Sequence, residues 1–405
     1  MLRLKDTRHP NTADFLDSAI RIAEYYGFKS LEETARREDD KRDPTVPKER
    51  RRPMPSAAEC EAEMSFARRD ERALVTSAKK CLSHVRANDA RLLWRVSAGS
   101  LKERSSLPGM SLELHCIGSG GAIAEALLLV VADAIAAEAG IKQRILSINN
   151  IGSSDSSNRF VRDVGVYLRK HIESISPTLR PRMSQDPLGT LVALIERGHP
   201  AISRAPQSME YLTEEERRRF WELLEYLEVF GLPYELNPQV LGSRDCWAHT
   251  LFEISTTDEE SGARILLASG GRYDPLAVRF IPTPAAMISV VCEIRGKSKV
   301  KHVSSASPVI FFAHLGGEAR RRALGVMEIL RRSEIPVHQS LLYERIGEQM
   351  AAARQFAVPY ILIMGHKEAM EGTILVREVT TNAQDAVPLP ELPQYLRRRH
   401  IGVPA

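Results

Sequence analysis

The sequence predicts an α+β protein, in which a mainly antiparallel sheet with a helical insertion precedes a smaller α/β domain. The β-rich runs "TLFEIST" and "ARILLAS", separated by the acidic turn "TDEESG", are typical of an antiparallel hairpin. Residues 155–230 have mainly helical patterns, and strand and helix patterns alternate beyond residue 308. The length of 405 residues is consistent with about two or three domains.

The first 139 residues predict two helices, a charged loop and two short strands. "NTADFLDSAIRIAEYYGF" has helical spacing of its apolar residues and ends at Gly27. Residues 35–59 are charged and proline-rich, which predicts a flexible loop, and a solvated "KERRR" is favoured over an RNA contact. "RLLWRVSAG" and "MSLELHCIG" are strand-like. A helix is expected over residues 121–139, buried rather than membrane-spanning because it carries Glu125, Asp133 and Glu138.

The second half contains a capped helix and the smaller domain. Thr213 and Glu216 form a capping box at the start of a helix that Gly231 ends. Beyond the polar linker of residues 296–308, "VIFFAHL", "YILIMG" and "TILVREV" alternate with helices and predict a largely parallel sheet. The predicted division is a core of residues 1–300, with its helical insertion at 155–230, and a second domain of residues 307–400.

Composition excludes several classes of protein. Lys and Arg number 56 against 52 Asp and Glu, so the charge permits a nucleic-acid partner without arguing for one. The cysteines are scattered and form no CxxC pair, which argues against a disulfide scaffold and a zinc site and predicts a cytoplasmic protein. They are Cys60, Cys81, Cys116, Cys246 and Cys292. No signal peptide is evident at the N-terminus, and no membrane association is expected.

Several stretches in one order resemble the histidyl-tRNA synthetases, which are class II aminoacyl-tRNA synthetases. "GLPYELNPQVLGSRDCWAHTLFEI", "SGGRYDPL" and "PTPAAMISVVCEI" are similar to the family's catalytic core, and "ERIGEQMAAARQFAVPYILIMGHKEAMEGTILVREVTT" is similar to its anticodon-binding domain. The resemblance covers most of residues 90–400. It implies a class II synthetase-like antiparallel sheet, a C-terminal α/β anticodon-binding-like domain, binding of tRNA or RNA through that domain, and a homodimer.

The resemblance also implies the remains of a substrate site. In the family, the tyrosine that matches Tyr273 contacts the side chain of the amino acid histidine. The positions that this resemblance assigns to the site are Gly270, Gly271, Arg272, Tyr273, Asp274, Asp245, Trp247, Thr250, Glu103 and Glu113.

The matches to motif 3 and to the histidine-recognition loop lack residues that catalysis needs. Ile294 stands where motif 3 has its ATP-binding arginine, and Met287 and Val291 replace glycines that let the nucleotide approach. In the recognition loop, Gly242 takes the place of the catalytic arginine, and His249 replaces a small glycine. An ATP site is therefore expected to be degenerate.

The other motifs are equally altered. In motif 2, Lys102 and Glu103 fall where the family has arginine and glutamate, and Met110 replaces a further arginine. Glu71 is a weak match to the family's substrate-binding glutamate, and Thr34 stands where motif 1 has proline.

These departures predict a divergent paralogue without ligase activity, a pseudoenzyme that binds tRNA, another RNA or a protein partner. No catalytic residue, metal site or cofactor is assigned on this hypothesis. The alternative is an active but divergent histidine–tRNA ligase that uses ATP and Mg²⁺, with Arg244, Arg272 and Arg295 as its candidate catalytic residues. A weaker alternative is a role like that of the regulatory subunit of ATP phosphoribosyltransferase in histidine biosynthesis, because that synthetase paralogue generally lacks the C-terminal domain.

Overall fold

The computed structural model describes residues 12–40, 54–68, 70–85, 90–98, 109–258, 261–293, 308–343 and 345–401. Its helices are α1 (Thr12–Tyr25), α2 (Leu31–Asp40), α3 (Ala57–Ala62), α4 (Glu71–Leu82), α5 (Ile123–Glu138), α6 (Ser154–Lys170), α7 (Arg180–Gln185), α8 (Pro187–Glu196), α9 (Glu214–Phe230), α10 (Asp274–Phe280), α11 (Gly316–Arg332), α12 (Ile346–Phe356), α13 (His366–Glu371) and α14 (Leu392–Arg398). Its strands are β1 (Lys29–Ser30), β2 (Arg91–Ala98), β3 (Gly109–Ile117), β4 (Ile145–Asn150), β5 (Tyr234–Leu236), β6 (Ala248–Thr257), β7 (Arg264–Arg272), β8 (Ala285–Glu293), β9 (Ile310–His314), β10 (His338–Gln339), β11 (Tyr360–Met364), β12 (Thr373–Glu378) and β13 (Gln384–Pro388).

An eight-stranded sheet forms the larger part of the fold, with strand order β1-β2-β3-β8-β7-β6-β4-β5. Its central pairs, from β2 to β4, are antiparallel, and the two edge strands β1 and β5 pair in parallel. The predicted hairpin is formed by β6 and β7. Helices α6 to α9 occupy residues 154–230, where the helical insertion is expected. The predicted fold class is confirmed.

The two faces of this sheet differ in chemistry because side chains alternate along each strand. On β3, Leu112, Leu114 and Cys116 point into an apolar core with α1 and α5. The intervening residues Glu113 and His115 face the other side, where the Ser77 side chain of α4 contacts both. The second face of the sheet therefore holds buried polar groups next to the site that the sequence predicts.

A five-stranded sheet of order β10-β9-β11-β12-β13 forms the C-terminal part. The prediction of a largely parallel sheet is only half right: β10, β9 and β11 are parallel, whereas β12 and β13 are antiparallel. The reason is that both connections are short, residues 365–372 between β11 and β12 and residues 379–383 between β12 and β13, whereas a parallel crossover needs about a dozen residues or more.

One apolar core runs through both parts of the chain. It includes residues of α1, α5 and α9 from the first part and of α11, β9 and β11 from the second. The boundary predicted near residues 300–307 lies outside the described residues, so the division into two domains stays a prediction.

The prediction of a flexible loop at residues 35–59 is wrong at both ends. Helix α2 continues to Asp40, and α3 begins at Ala57, where Ser56 and Glu59 form a capping box that satisfies the first N–H groups of the helix. Residues 41–53 lie outside the described residues. The charge and proline content of this segment predicted a loop, whereas helix-forming residues extend α2 and a capping box begins α3.

Two predicted helix boundaries are confirmed. Helix α1 ends at Tyr25, and Gly27 has a φ of 90°, the left-handed conformation that favours glycine. Helix α9 begins after the capping box of Thr213 and Glu216 and ends at Gly231, whose φ is 82°.

Candidate functional site

Gly270 and Gly271 lie near the end of strand β7, in the centre of the large sheet, where the neighbouring strands leave no room for a side chain. Strand β7 lies between β6 and β8. A Cβ atom at Gly270 would lie 2.1 Å from the carbonyl oxygen of Met287, and one at Gly271 would lie 2.5 Å from that of Thr250. Neighbouring strands pass so close that neither position can accept a side chain without movement.

Arg272, the last residue of β7, is fully buried and fully paired. Its guanidinium donates to both carboxylate oxygens of Glu125 on α5, at 3.0 and 2.6 Å. Its other hydrogen bonds reach the carbonyl oxygens of Ser119 and Gly121 and the carboxylate of Asp274, at 3.2 to 3.4 Å. All the N–H donors of an arginine are thus used inside the protein, so a ligand from solvent does not reach this side chain.

Tyr273 ends a buried chain of hydrogen bonds that we call the His115 network, formed by Tyr273, His115, Ser77 and Glu113. The Tyr273 hydroxyl lies 3.0 Å from Nδ1 of His115, and Nε2 of the same ring lies 3.1 Å from the hydroxyl of Ser77. Ser77 donates in turn to Glu113. Tyr273, His115 and Ser77 are all 1% exposed or less. The protein's own His115 imidazole therefore occupies the position beside the Tyr273 hydroxyl.

Glu113 anchors the other end of this network. The Ser97 hydroxyl donates to Oε1 of Glu113 at 2.5 Å, and the Arg95 guanidinium donates to Oε2 at 3.0 Å. This pattern fits a positively charged His115, because both ring nitrogens then donate to neighbouring hydroxyl oxygens while the serine proton goes to the carboxylate. The network therefore satisfies its own donors and acceptors without a ligand.

The pKa values of the two charged members of the network, His115 and Glu113, shift as expected for an ion pair. Burial would lower the pKa of His115, but Cys81 and Glu113 stabilise its charge and raise the pKa to about 9. Burial would raise the pKa of Glu113, but His115, Arg95 and Ser77 lower it to about 2. The low dielectric of the site strengthens these interactions.

We expect stability to fall between pH 6.5 and about pH 9. The folded-state pKa of His115 lies above its unfolded value of 6.5, so its contribution is complete below pH 6.5 and is lost as pH rises through about 9. The contribution of Glu113 is complete above pH 4.5 and is lost as pH falls through about 2. Denaturant unfolding at a series of pH values tests this expectation, with His115→Gln beside the exposed control His366→Gln. An alkaline loss of stability that His115→Gln leaves unchanged would contradict it.

Glu71, at the start of α4, accepts four hydrogen bonds from the chain itself. Its donors are the backbone N–H groups of Ala67 and Arg68, at 2.7 and 2.9 Å, the backbone N–H of Ser243, at 2.6 Å, and the indole N–H of Trp247, at 3.2 Å. Burial raises the pKa of this carboxyl to about 6, against the opposing effect of the backbone donors. Glu71 thus fastens the loop before β6 to the segment before α4.

Side chains fill the space beside Gly270 and Gly271. The Trp247 ring lies 3.3 Å from the position of a Cβ at Gly271. Met287 on β8 pairs with both Gly271 and His115 and is buried. A cavity of about 20 Å³ remains here, lined by Trp247 and by parts of β6 and β7. That volume holds about one water molecule and no amino acid or nucleotide.

The remaining residues of the predicted loop are dispersed. Arg244 is exposed and donates to Asn158 on α6, while Asp245 accepts from the backbone N–H of Ser65 at 2.8 Å. Thr250 is buried within β6, where it pairs with Asn150 of β4. Of these loop residues, Trp247 packs on Gly271. Among the described residues, no hydrogen-bond network joins Arg244 to Tyr273.

Gly242, which stands where the family has a catalytic arginine, has no room for a side chain as the loop is arranged. A Cβ there would lie 2.5 Å from the Trp247 ring and 2.9 Å from Oε1 of Glu71. His249 adopts a φ of 54°, and its backbone N–H donates to the carbonyl oxygen of Gly152 at 2.7 Å. The motif positions Lys102, Glu103, Ile294 and Arg295 lie outside the described residues.

Sequence reasoning did not identify most partners in these networks. It missed Ser77, Arg95, Ser97, His115 and Glu125. One signal was available: Ser111, Glu113 and His115 are the polar residues of an alternating strand pattern, which places them on one face of β3. Across the described parts of the chain, His, Cys, Asp and Glu side chains form no group of three that could hold a metal ion. In those same parts, no helix is long and apolar enough to cross a membrane.

Comparison with known proteins finds similarity to histidine–tRNA ligases. Residues 309–399 match the family described as anticodon binding domain. The chain is 27% identical over 295 residues to histidine–tRNA ligase 1 of Shouchella clausii, which covers 71% of this chain and 69% of that protein. It is 27% identical over 293 residues to histidine–tRNA ligase of Geobacillus kaustophilus, covering 71% and 68%. The crystal structure of apo S. aureus histidyl-tRNA synthetase aligns with 18% identity over 94% of each chain, with a TM-score of 0.48. The chain is therefore similar to histidine–tRNA ligases over about 70% of its length, and its C-terminal part carries the anticodon binding domain.

Proposed function

We propose that this histidyl-tRNA synthetase-like protein does not activate an amino acid and that it acts by binding tRNA. The self-occupied site carries the proposal. The resemblance assigns Tyr273 to contact with a histidine substrate, yet its hydroxyl is bonded to His115 of the chain. Glu71, the match to a substrate-binding glutamate, accepts hydrogen bonds from Trp247 and from backbone N–H groups. A substrate would have to displace both sets of buried hydrogen bonds.

The described residues beside Gly270 and Gly271 do not fit ATP and Mg²⁺; Lys102, Glu103, Ile294 and Arg295 lie outside the described residues. The cavity beside Gly270 and Gly271 is about 20 Å³, and the Met287 and Trp247 side chains occupy the space that a nucleotide would need. Arg272 is committed to Glu125 at 2.6 Å. We therefore assign no reaction step that uses ATP to this chain.

The anticodon-binding match at residues 309–399 supports tRNA as the partner. The mildly basic net charge of +4 is compatible with that partner. The arginines of α11 do not act as one RNA-binding set, since Arg321 pairs with Glu225 on α9 and with Glu318. We also propose a cytoplasmic location and, separately, assembly as a homodimer or with a protein partner.

We expect no ATP–pyrophosphate exchange with any of the standard amino acids, and saturable binding of tRNA that weakens with salt. The reason is that activation needs an open nucleotide site, whereas tRNA binding needs only a basic surface. Exchange assays with each amino acid and filter binding of tRNA transcripts measure the two properties. The histidine–tRNA ligase of Geobacillus kaustophilus serves as the active control.

The alternative, a divergent active ligase, makes the opposite prediction. Histidine-dependent exchange by the unmodified protein that is lost in Tyr273→Phe would establish it, because that variant removes only the hydroxyl. Gly242→Arg, which restores the family residue, is expected to leave exchange undetectable, since Trp247 and Glu71 occupy the space of the new side chain. Absence of both exchange and tRNA binding would contradict the proposed function.

A further inference from the structure

A groove separates α1 and the first edge of the large sheet from the C-terminal part. One wall consists of residues of α1, β1 and β2, and the other consists of residues 331–343 with Phe356. We call it the α1–β10 groove. Its volume is about 1150 Å³, larger than the about 300–1,000 Å³ of ordinary small-molecule pockets. Nothing in the site described above uses this groove.

Buried contacts hold its two walls together. The hydroxyl of Tyr26, which directly follows α1, donates to Glu328 of α11 at 2.6 Å, and Gln339 of β10 donates to the carbonyl oxygen of Tyr26 at 2.9 Å. The Tyr25 hydroxyl donates to the carbonyl oxygen of Ile335 at 2.7 Å. The groove is therefore preformed, which lowers the entropic cost of binding a ligand.

Aromatic rings line the C-terminal wall. The rings of His338 and Phe356 are stacked, with centroids 3.8 Å apart and planes 18° apart. Phe356 is 43% exposed and Tyr343 is 36% exposed. Burial and the nearby Lys29 ammonium lower the pKa of His338 to about 4, so its ring is neutral near pH 7. Exposed rings of this kind offer a stacking surface for nucleobases.

Basic side chains exceed acidic ones in the groove. Its basic lining residues are Arg21, Lys29, Arg91, Arg331 and Arg332, and its acidic ones are Glu24, Glu138 and Glu334. Glu328 pairs with Arg331 and Arg332 and neutralises part of their charge. Arg21 and Lys29 are exposed and line the same groove as the aromatic rings, and the Lys29 ammonium lies close enough to His338 to affect its pKa.

We propose that the α1–β10 groove binds a single-stranded segment of RNA, with phosphates near Arg21 and Lys29 and a base stacked on the aromatic wall. The inference rests on the proposed function, because it gives the location at which this protein holds its RNA. Basic charge alone suits any polyanion, but the rings favour a strand with unstacked bases. An RNA duplex keeps its bases stacked inside, and an acidic peptide gains nothing from stacking.

Fluorescence anisotropy with a labelled single-stranded RNA of about 12 nucleotides tests the inference on the full chain. Phe356→Leu keeps apolar volume and removes the aromatic face, and we expect it to weaken binding about tenfold. Arg21→Gln is expected to weaken binding and to reduce the salt slope by about one. Trp221→Leu is the matched control, because Trp221 is a 60% exposed ring on α9 that does not line the groove.

Tyr343→Leu provides a second test if Phe356→Leu unfolds, and thermal melting of each variant identifies that case. Single-stranded RNA that binds equally well to wild type, Phe356→Leu, Tyr343→Leu and Arg21→Gln would overturn the groove assignment, while retained tRNA binding would leave the proposed function intact. Competition by polyglutamate as strong as that by RNA, together with insensitivity to the ring variants, would also overturn it. If the wild-type protein binds neither tRNA nor single-stranded RNA, the proposed function itself is contradicted.

Discussion

Replacing Arg272 with leucine is expected to lower the free energy of unfolding by about 3–5 kcal/mol. Arg272 and Glu125 are both 1% exposed or less, and their bidentate contact is 3.0 and 2.6 Å long. Burial would raise the pKa of Glu125, and the Arg272 and Arg219 guanidiniums hold it below its ordinary value. Without Arg272, the buried Glu125 carboxylate keeps Arg219, at 3.1 Å, as its one charged partner among the described residues.

A double-substitution cycle separates this penalty from a loss of packing. The variant Glu125→Leu/Arg272→Leu removes both buried charges, so we expect it to recover much of the stability that Arg272→Leu loses. Urea denaturation of the wild type and the three variants measures the coupling between the two positions. Equal stability of Arg272→Leu and wild type, or a double variant as unstable as the sum of the single ones, would contradict the ion-pair account.

The sequence was informative wherever a local pattern determines the structure. The capping box of Thr213 and Glu216, the stop at Gly231 and the hairpin of β6 and β7 follow from near neighbours in the chain, and all were predicted. The ends of α2 and α3 were missed because charge and proline content outweighed the capping signal at Ser56. The sequence pattern placed β12 in a largely parallel sheet and gave no strand at β13, whereas β12 pairs antiparallel with both β11 and β13.

The site was harder to predict because its partners are distant in sequence. Family motifs located Tyr273 and Glu113, but the atoms that satisfy them come from Ser77 on α4 and His115 on β3. Likewise, the pattern gave Arg272 as a catalytic candidate, and only the fold reveals Glu125, which lies 147 positions away. Spatial pairing of buried polar groups depends on the register of the whole sheet, which single-sequence patterns do not contain.

Replacing His115 with alanine is expected to lower the free energy of unfolding by about 3–5 kcal/mol. His115 is fully buried, and its removal leaves the Tyr273 hydroxyl without its ring partner and the Glu113 carboxylate without a neighbouring imidazole. It also leaves a cavity between Met287 and Leu93, its neighbours in the sheet. Urea denaturation at pH 6.5 or below measures the full effect, since the ring is then charged. The exposed His366→Ala is the matched control and should stay within about 0.5 kcal/mol of wild type.

The same variant tests whether the site selects an imidazole or merely an apolar filler. Free imidazole at millimolar concentration should raise the melting temperature of His115→Ala and leave wild type unchanged, because the vacated site offers Tyr273, Ser77 and Glu113 as polar partners. Benzene fills a similar volume without hydrogen bonds and should have a smaller effect. If benzene stabilises the variant as well as imidazole does, the polar contacts around His115 contribute little, and the self-occupied site loses its support. If imidazole alone stabilises the variant, the site is specific for an imidazole ring. In the wild type this site is then filled by His115, which is part of the chain and already hydrogen-bonded, so a histidine substrate would have to displace it.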